Sequence, residues 1–165
     1  MTPSDLVVTR WGTRFLGQVI PCSIGKGGIC ANKREGDGAT PVGTHRIVGM
    51  LYRPDRINQP AAWAKPIGPA DLWSDDPNRP DYNHPVRAPY TGSHEALRRA
   101  DRLYDLVLLT DWNYPNSISG NGSAIFIHRW RKPRHPTEGC VAYSAENLLW
   151  IARNVELGTR VIVRP

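Results

Sequence analysis

Two short stretches carry residue types that can do covalent chemistry. Gly120-Asn-Gly-Ser-Ala-Ile-Phe-Ile-His128 is an apolar run that ends in an imidazole, and Pro136-Thr-Glu-Gly-Cys140-Val-Ala-Tyr-Ser144 presents a thiol behind Gly139, which lies eleven residues after that histidine. A cysteine nucleophile attacks as its thiolate and needs a base or a positive charge beside it. His128 supplies that base if the connecting loop folds back. Gly139 lets the backbone approach a substrate closely. The amide N–H groups around Gly139 and Cys140 can then stabilise an oxyanion. The connecting segment holds Arg129, Arg131, Lys132 and Arg134, the densest basic cluster of the chain. Its positive potential is expected to lower the thiol pKa and to attract an anionic substrate.

The same residues admit plainer readings. A free cysteine is commonly a small buried hydrophobe, and His128 can be a satisfied histidine at a strand end. His128, His135 and Cys140 are three potential zinc ligands. Their spacing matches no standard zinc module and no fourth ligand accompanies them. Cys22 and Cys30 have no motif around them and read as structural. An odd cysteine count with no C-x-x-C pair argues against a disulfide framework or a zinc ribbon.

The elements that must position the pair are mostly strands. Leu6–Thr9 and Arg14–Ile20 are β-like runs, with a turn expected near Gly12 and Thr13, and Cys22–Ile24 can continue the second run after Pro21. A glycine-rich loop follows from Gly25 to Gly43, and then a strand over Thr44–Leu51. Residues 52–94 contain eight prolines, which forbid a long helix or a central strand. Tyr52, Trp63, Trp73 and Tyr82 punctuate this stretch, so it reads as an ordered insertion packed by its aromatics. Glu95–Leu103 fits a short helix. Tyr104–Thr110 and Ala124–Trp130 fit apolar strands. Ser144–Val155 is the one clear helix: Ser144 suits an N-cap, Glu146 lies in the first turn, and Leu148, Ile151, Ala152 and Val155 recur at helical spacing. Arg160–Val163 is a closing strand. The expected architecture over residues 1–165 is one mainly β domain with a single main helix and an insertion at about 52–94.

Composition excludes several classes. Glycine and proline together make 30 of the 165 residues without a collagen period, which suits a turn-rich β domain. Hydrophobic residues at 40% and charged residues at 22% exclude a disordered chain and a coiled coil. The net charge of +6 is compatible with a polyanion, but the basic residues form no long block, and no nucleic-acid partner is expected. No apolar run is long enough to insert in a membrane. The opening segment has an apolar stretch of three residues between Asp5 and Arg10, whereas a secretory signal needs roughly 7–15. A cytoplasmic location is the expectation, or the periplasm if an export signal has been removed. Reduced thiols agree with the cytoplasm.

With the motifs in this order, the chain resembles the L,D-transpeptidase catalytic domain, also called the YkuD-like domain. That family's signature is a histidine at a strand end, a variable loop, and Ser/Thr-x-Gly-Cys, which here are His128 and Thr137-Glu-Gly139-Cys140. Upstream, Lys33-Arg-Glu-Gly-Asp-Gly-Ala-Thr-Pro-Val-Gly-Thr44 looks like the family's strand-entry motif, and Gly122-Ser-Ala-Ile-Phe-Ile-His128 looks like one branch of it. Asp37 and Thr40 of the entry motif read as fixing the loop. The resemblance spans about Gly25 to Ser144 and implies a small β-sandwich with one flanking helix. It implies that Cys140 attacks the diaminopimelate carbonyl of a peptidoglycan stem tetrapeptide, that D-alanine leaves, and that a thioacyl-enzyme forms. His128 would act as base and then as acid, oriented by a backbone carbonyl, and no metal or organic cofactor would be needed. Many members carry Arg or Asn two positions after the cysteine, where this chain has Ala142. Arg129, Arg131 and Arg134 are the candidates to take over that role, Thr137 would support the cysteine loop beside the substrate, and Tyr143 reads as core.

Within the family, water as acceptor gives hydrolysis and an amine gives a cross-link. The missing leader favours an L,D-carboxypeptidase acting on muropeptides returned for recycling, with the proline-rich insertion closing the acceptor side. The alternatives are an L,D-transpeptidase that cross-links or exchanges D-amino acids in the periplasm, and a non-catalytic basic binding module with an inert Cys140.

Overall fold

The computed structural model describes residues 1–165. The chain opens with β1 (Leu6–Thr9), β2 (Gly12–Phe15) and β3 (Gln18–Ile20). The run over Arg14–Ile20 is therefore not one strand. Leu16 and Gly17 take φ of 46° and 78° and fold it into a tight hairpin, the geometry of a two-residue turn with both central residues left-handed. The preceding turn sits at Arg10 and Trp11, one step before the expected Gly12 and Thr13. The glycine-rich loop holds two short strands, β4 (Ile29–Cys30) and β5 (Thr40–Pro41), which pair in parallel. The long central strand β6 (Gly43–Tyr52) follows.

The insertion has secondary structure of its own. It contributes β7 (Lys65–Pro66), which pairs with β6, and β8 (Asp71–Ser74) and β9 (Pro85–Arg87), which pair with each other. The helix expected over Glu95–Leu103 does not form. His94–Ala96 is instead strand β10, registered against Leu72–Ser74, and the chain then turns. Arg53 and Arg56 donate to the carbonyls of Arg99, Ala100 and Asp101 and fix the segment in this turned path. The chain finishes with β11 (Leu106–Thr110), β12 (Phe126–Arg129), β13 (Val141–Tyr143), α1 (Ala145–Asn154) and β14 (Arg160–Val163). Ser144 caps α1 by accepting from the Asn147 N–H at 3.1 Å.

The main sheet runs β13-β12-β11-β6-β14-β1-β2-β3 and curls on itself. Ser23, just after β3, exchanges two backbone hydrogen bonds with Ala142 of β13, at 2.7 and 2.9 Å, and so joins the two ends of the curl. The small sheet β10-β8-β9 packs outside it. The result is the mainly β architecture with one flanking helix that the resemblance implied.

Two hydrophobic clusters lie on the two faces of β11 and β12, as the alternation of side chains along a strand requires. Leu106, Leu108 and Ile127 point into the larger cluster with Val141, Tyr143 and the α1 residues Leu148 and Ile151. Val107 and Phe126 point the other way, onto Trp73 and Leu97 from the insertion side. The aromatics of the insertion therefore do pack it: Trp73 meets Phe126 edge-on, with ring centroids 5.0 Å apart.

Candidate active site

Strand alternation decides what faces the reactive pair. β12 and β13 are parallel neighbours in which His128 pairs with Ala142. Cys140, two residues before Ala142, therefore lies on the same face as His128, one step along the ladder. That face is the insertion side. Cys140 packs against the smaller cluster, and His128 is edge-on to the buried Tyr104, with ring centroids 5.3 Å apart. The connecting loop does fold back, as the chemistry needs.

Each partner is held by backbone. His128 Nδ1 meets the Arg129 carbonyl at 2.7 Å, which leaves Nε2 as the nitrogen free to move a proton. The Cys140 thiol donates to the Ala124 carbonyl at 3.1 Å, and its sulfur accepts from the Phe126 N–H at 3.4 Å. Ala124 is itself left-handed, with φ of 50°. Its N–H donates to Oδ1 of the buried Asn83 at 2.9 Å. Asn83 also accepts from Trp73 Nε1 and donates to the Trp112 and Asn113 carbonyls, so all of its amide's hydrogen-bonding groups are engaged.

The cysteine loop is clamped from its other side by the entry motif. Thr40, fully buried, accepts from the Gly25 N–H and donates to the Gly139 carbonyl at 2.8 Å. Asp37 accepts from the backbone N–H groups of Arg34 and Ala39 and pairs with Lys33. Both residues fix the loop, as their sequence context suggested. Gly139 takes φ of 143°, and a Cβ there would lie 2.9 Å from the Ala39 carbonyl oxygen. A side chain at that position has neither the space nor the backbone conformation.

The Gly139 N–H donates to Thr137 Oγ1 at 3.1 Å, so it is not the free oxyanion donor that the sequence suggested. Thr137 Oγ1 in turn donates to the Cys140 carbonyl at 2.6 Å. The Cys140 N–H makes no hydrogen bond within the protein. Gly139 contributes conformation, and Thr137 holds the turn that aims the thiol.

Burial sets the charge state of the pair. It pushes the Cys140 thiol up to about 12 and outweighs the opposing pull of the Phe126 N–H and the Lys33 ammonium. It also brings the imidazole of His128 down to about 4, against the opposing effect of the Arg129 carbonyl. The basic loop does not lower the thiol pKa, contrary to expectation, because desolvation dominates. At rest the thiol and the imidazole are both neutral.

A cleft of about 310 Å³ opens at His128. Its walls include Arg131, His135 and Thr137 from the loop, and Glu95, Arg99 and Tyr104 from the segment after the insertion. Arg129 is not among them. It alternates to the helix face of β12 and lines a small hollow with Leu148 and Leu149. Arg134 turns away and reaches the Trp11 carbonyl at 3.5 Å. Of the three arginines proposed for the role absent at Ala142, only Arg131 lies at the cleft, and Ala142 itself is fully buried. Tyr143 is core, its hydroxyl bonded to Thr13 at 2.6 Å. Cys22 is buried, Cys30 is half-buried, and neither is in a disulfide.

Sequence reasoning missed Arg99, Glu95, Tyr104 and Asn83. Arg99 lies over the Tyr104 ring at 5.1 Å and pairs with Asp101 at 2.6 Å. Tyr104 OH donates to Glu95 at 3.3 Å, and burial with the nearby Asp75 raises the Glu95 pKa. No local motif marks these residues, because the pairing of β10 with β8 brings them to the site. Asn83 carries one weak signal: it has φ of 58°, a conformation in which asparagine is enriched.

The family model for the L,D-transpeptidase catalytic domain, YkuD, matches residues 6–163, nearly the whole chain. No curated protein and no solved structure matches significantly. The match takes in both the entry motif that clamps Gly139 and the strand pair that presents His128 and Cys140, and the chain belongs to the L,D-transpeptidase catalytic-domain family of peptidoglycan enzymes.

Proposed function

We propose that this enzyme is an L,D-carboxypeptidase: it removes the terminal D-alanine from stem tetrapeptides through a Cys140 thioester and releases the acyl group to water. The observation that carries the reading is the placement of His128 and Cys140 on one face of the β12–β13 pair, with Nδ1 of the histidine taken by the Arg129 carbonyl.

With both groups neutral at rest, the proton moves as the carbon–sulfur bond forms. The thiol leaves the Ala124 carbonyl and gives its proton to His128 Nε2, and the sulfur attacks the carbonyl carbon. The developing oxyanion is met by the Cys140 N–H. The protonated His128 then returns its proton to the leaving amine of D-alanine. In the second half, His128 takes a proton from water as the water attacks the thioester, and the thiol is regenerated.

Hydrolysis is favoured over amine transfer by the packing around the thiol. The insertion covers the Trp73 and Phe126 side of Cys140. The open space is the cleft of about 310 Å³ on the His128 side, at the small end of ligand pockets, which run roughly 300–1,000 Å³. That suits one stem peptide and water better than two stem peptides.

The test is incubation with a disaccharide tetrapeptide, with and without a D-amino acid, followed by mass spectrometry beside Cys140→Ala. The expected result is loss of one D-alanine that requires Cys140, with little exchange. Dominant exchange or dimer formation would instead make the enzyme a transpeptidase. No change at all would leave a silent binding module.

A further inference from the structure

A second hollow, of about 520 Å³, lies on the outer face of the β1–β2–β3 hairpins. Its floor is Gly12, whose φ of 150° and 2.9 Å Cβ approach to the Ile20 carbonyl leave no place for a side chain. Trp11 stands at its side with 72% of its surface exposed, and Val19, directly opposite Arg14 in the hairpin register, is 79% exposed. Arg10, which does not line the hollow, stacks on the indole at 4.6 Å. Arg14 and Arg164 line the hollow, and no acidic residue does. Arg53, Arg56, Arg99 and Arg160 each face a carboxylate, whereas Arg14 and Arg164 face none.

An exposed indole over a glycine floor presents a flat apolar face with a polar edge. The two unpaired guanidiniums add forks shaped for a carboxylate. Concavity separates the possible partners. A lipid surface is met by protruding side chains, whereas an open hollow of this size, within the usual range of ligand pockets, can seat a ring against its wall. The hollow is also joined to the catalytic loop: Arg134, next to the cleft residue His135, donates to the Trp11 carbonyl at 3.5 Å. We infer that this hollow is a saccharide subsite, in which a sugar ring stacks on Trp11 and a carboxylate carried on the same ligand is taken by Arg14 and Arg164. Resting on the stem-peptide reading above, it makes the preferred substrate the disaccharide-linked peptide, with the glycan seated away from the scissile bond.

The experiment compares a free tetrapeptide with the disaccharide tetrapeptide on the wild type, Trp11→Ala, and the double variant Arg14→Gln/Arg164→Gln. Loss of one aromatic stacking contact is worth up to about tenfold. The expected result is that the wild type favours the disaccharide form in kcat/KM by at least about fivefold. Each variant loses that preference and keeps its rate on the free peptide. Equal rates on both substrates in the wild type, or a preference that survives both variants, would overturn the subsite. Binding is read separately by NMR of the Trp11 indole N–H in Cys140→Ala, titrated with the disaccharide tetrapeptide. A shift of that signal with no turnover of either substrate by the wild type would keep the subsite and refute the carboxypeptidase. A shift with phosphatidylglycerol vesicles and none with the disaccharide tetrapeptide would give the hollow to a membrane surface and overturn the proposal.

Discussion

The glycine-rich loop of residues 25–43 grips the cysteine loop directly, through the Thr40 hydroxyl and the Lys26 N–H on the Thr137 carbonyl, whereas the insertion of residues 52–94 reaches the thiol indirectly, through the Asn83 amide. Thr40 Oγ1 joins the Gly25 N–H to the Gly139 carbonyl. Asn83 reaches the thiol at one remove, through the Ala124 peptide whose carbonyl accepts the Cys140 proton. The first region is shaped by backbone: Gly25 has no room for a Cβ, which would fall 2.2 Å from the Gly38 carbonyl oxygen. The second is shaped by side chains, with Trp73 and Tyr82 buried around Asn83. A thiol held from two sides by unlike means need not carry its own charge to be fixed in place. That agrees with a thiol that burial keeps neutral.

The largest effect comes from removing what both regions hold. Cys140→Ala is expected to reduce D-alanine release to below about a thousandth of the wild-type rate, with an unchanged far-ultraviolet circular dichroism spectrum. The insertion clamp comes next. Asn83→Ala strands two buried donors and two half-buried carbonyls, at a cost of about 3–5 kcal/mol, read as a lower urea midpoint. The variant also frees the Ala124 peptide, so the alkylation rate of Cys140 by iodoacetamide changes at pH values where the fold is intact. If Asn83→Ala left both the stability and the alkylation rate untouched, the insertion would not be holding the thiol.

Acid tests the buried pair as a unit. His128 is neutral in the fold and has its pKa brought down to about 4 by burial, whereas in the unfolded chain it titrates near 6.5. As the pH falls below about 6.5, the unfolded chain gains a proton that the fold refuses, and stability drops until the pH passes about 4. The loss from this group is about 3 kcal/mol, and His128→Gln is expected to flatten that part of the stability profile. In activity, the neutral pair predicts a rate that falls only below about pH 5, with no rise near 8 of the kind a free thiol would give.

Thr40→Val sharpens the comparison from the other side. It keeps the shape and removes the hydroxyl, leaving the Gly139 carbonyl and the Gly25 N–H unpaired, for about 1–3 kcal/mol. The expected cost is smaller than for Asn83→Ala, because one hydroxyl with two partners is lost instead of an amide with four.

The same contrast explains what could be read from the sequence. The entry motif, Gly139 and the β12–β13 ladder are local: glycines, a capping aspartate and an apolar run fix them within a few residues. Thr40 as a loop-fixing residue and the helix from Ser144 were legible for that reason, whereas His128 and Cys140 stood out through the ordered motifs of the family resemblance. Glu95 and Arg99 depend on β10 pairing with β8 across some twenty residues, and Asn83 on the pairing of β8 with β9, and such pairings have no local signature. The apolar spacing of the segment after Glu95 fits a helix, but the chain there forms strand β10 and then turns. The arginines that capture its carbonyls, Arg53 and Arg56, lie more than forty residues away in sequence. The thiol pKa follows burial, which the sequence does not display. A run of basic residues is visible in a sequence, but the direction in which each side chain leaves the backbone is set by the strand they follow.

That last point yields the smallest and most discriminating prediction. Arg129 and Arg131 are two residues apart in one basic cluster, and from the sequence they were equal candidates for a substrate contact. Arg129, still on β12, alternates away from His128 and lays its stem beside Leu148 and Leu149. Arg131, past the end of the strand, comes back to the cleft beside His135. An exposed charge at a cleft rim is worth up to about 1 kcal/mol. Arg131→Ala is therefore expected to raise KM by up to about fivefold with little change in kcat, an effect that weakens as salt is added. Arg129→Ala should leave KM within about twofold of the wild type and lower stability slightly, through lost packing of its stem. A larger KM effect at Arg129 than at Arg131 would mean that the substrate lies on the helix face of β12, and the assignment of the cleft at His128 would have to be reversed.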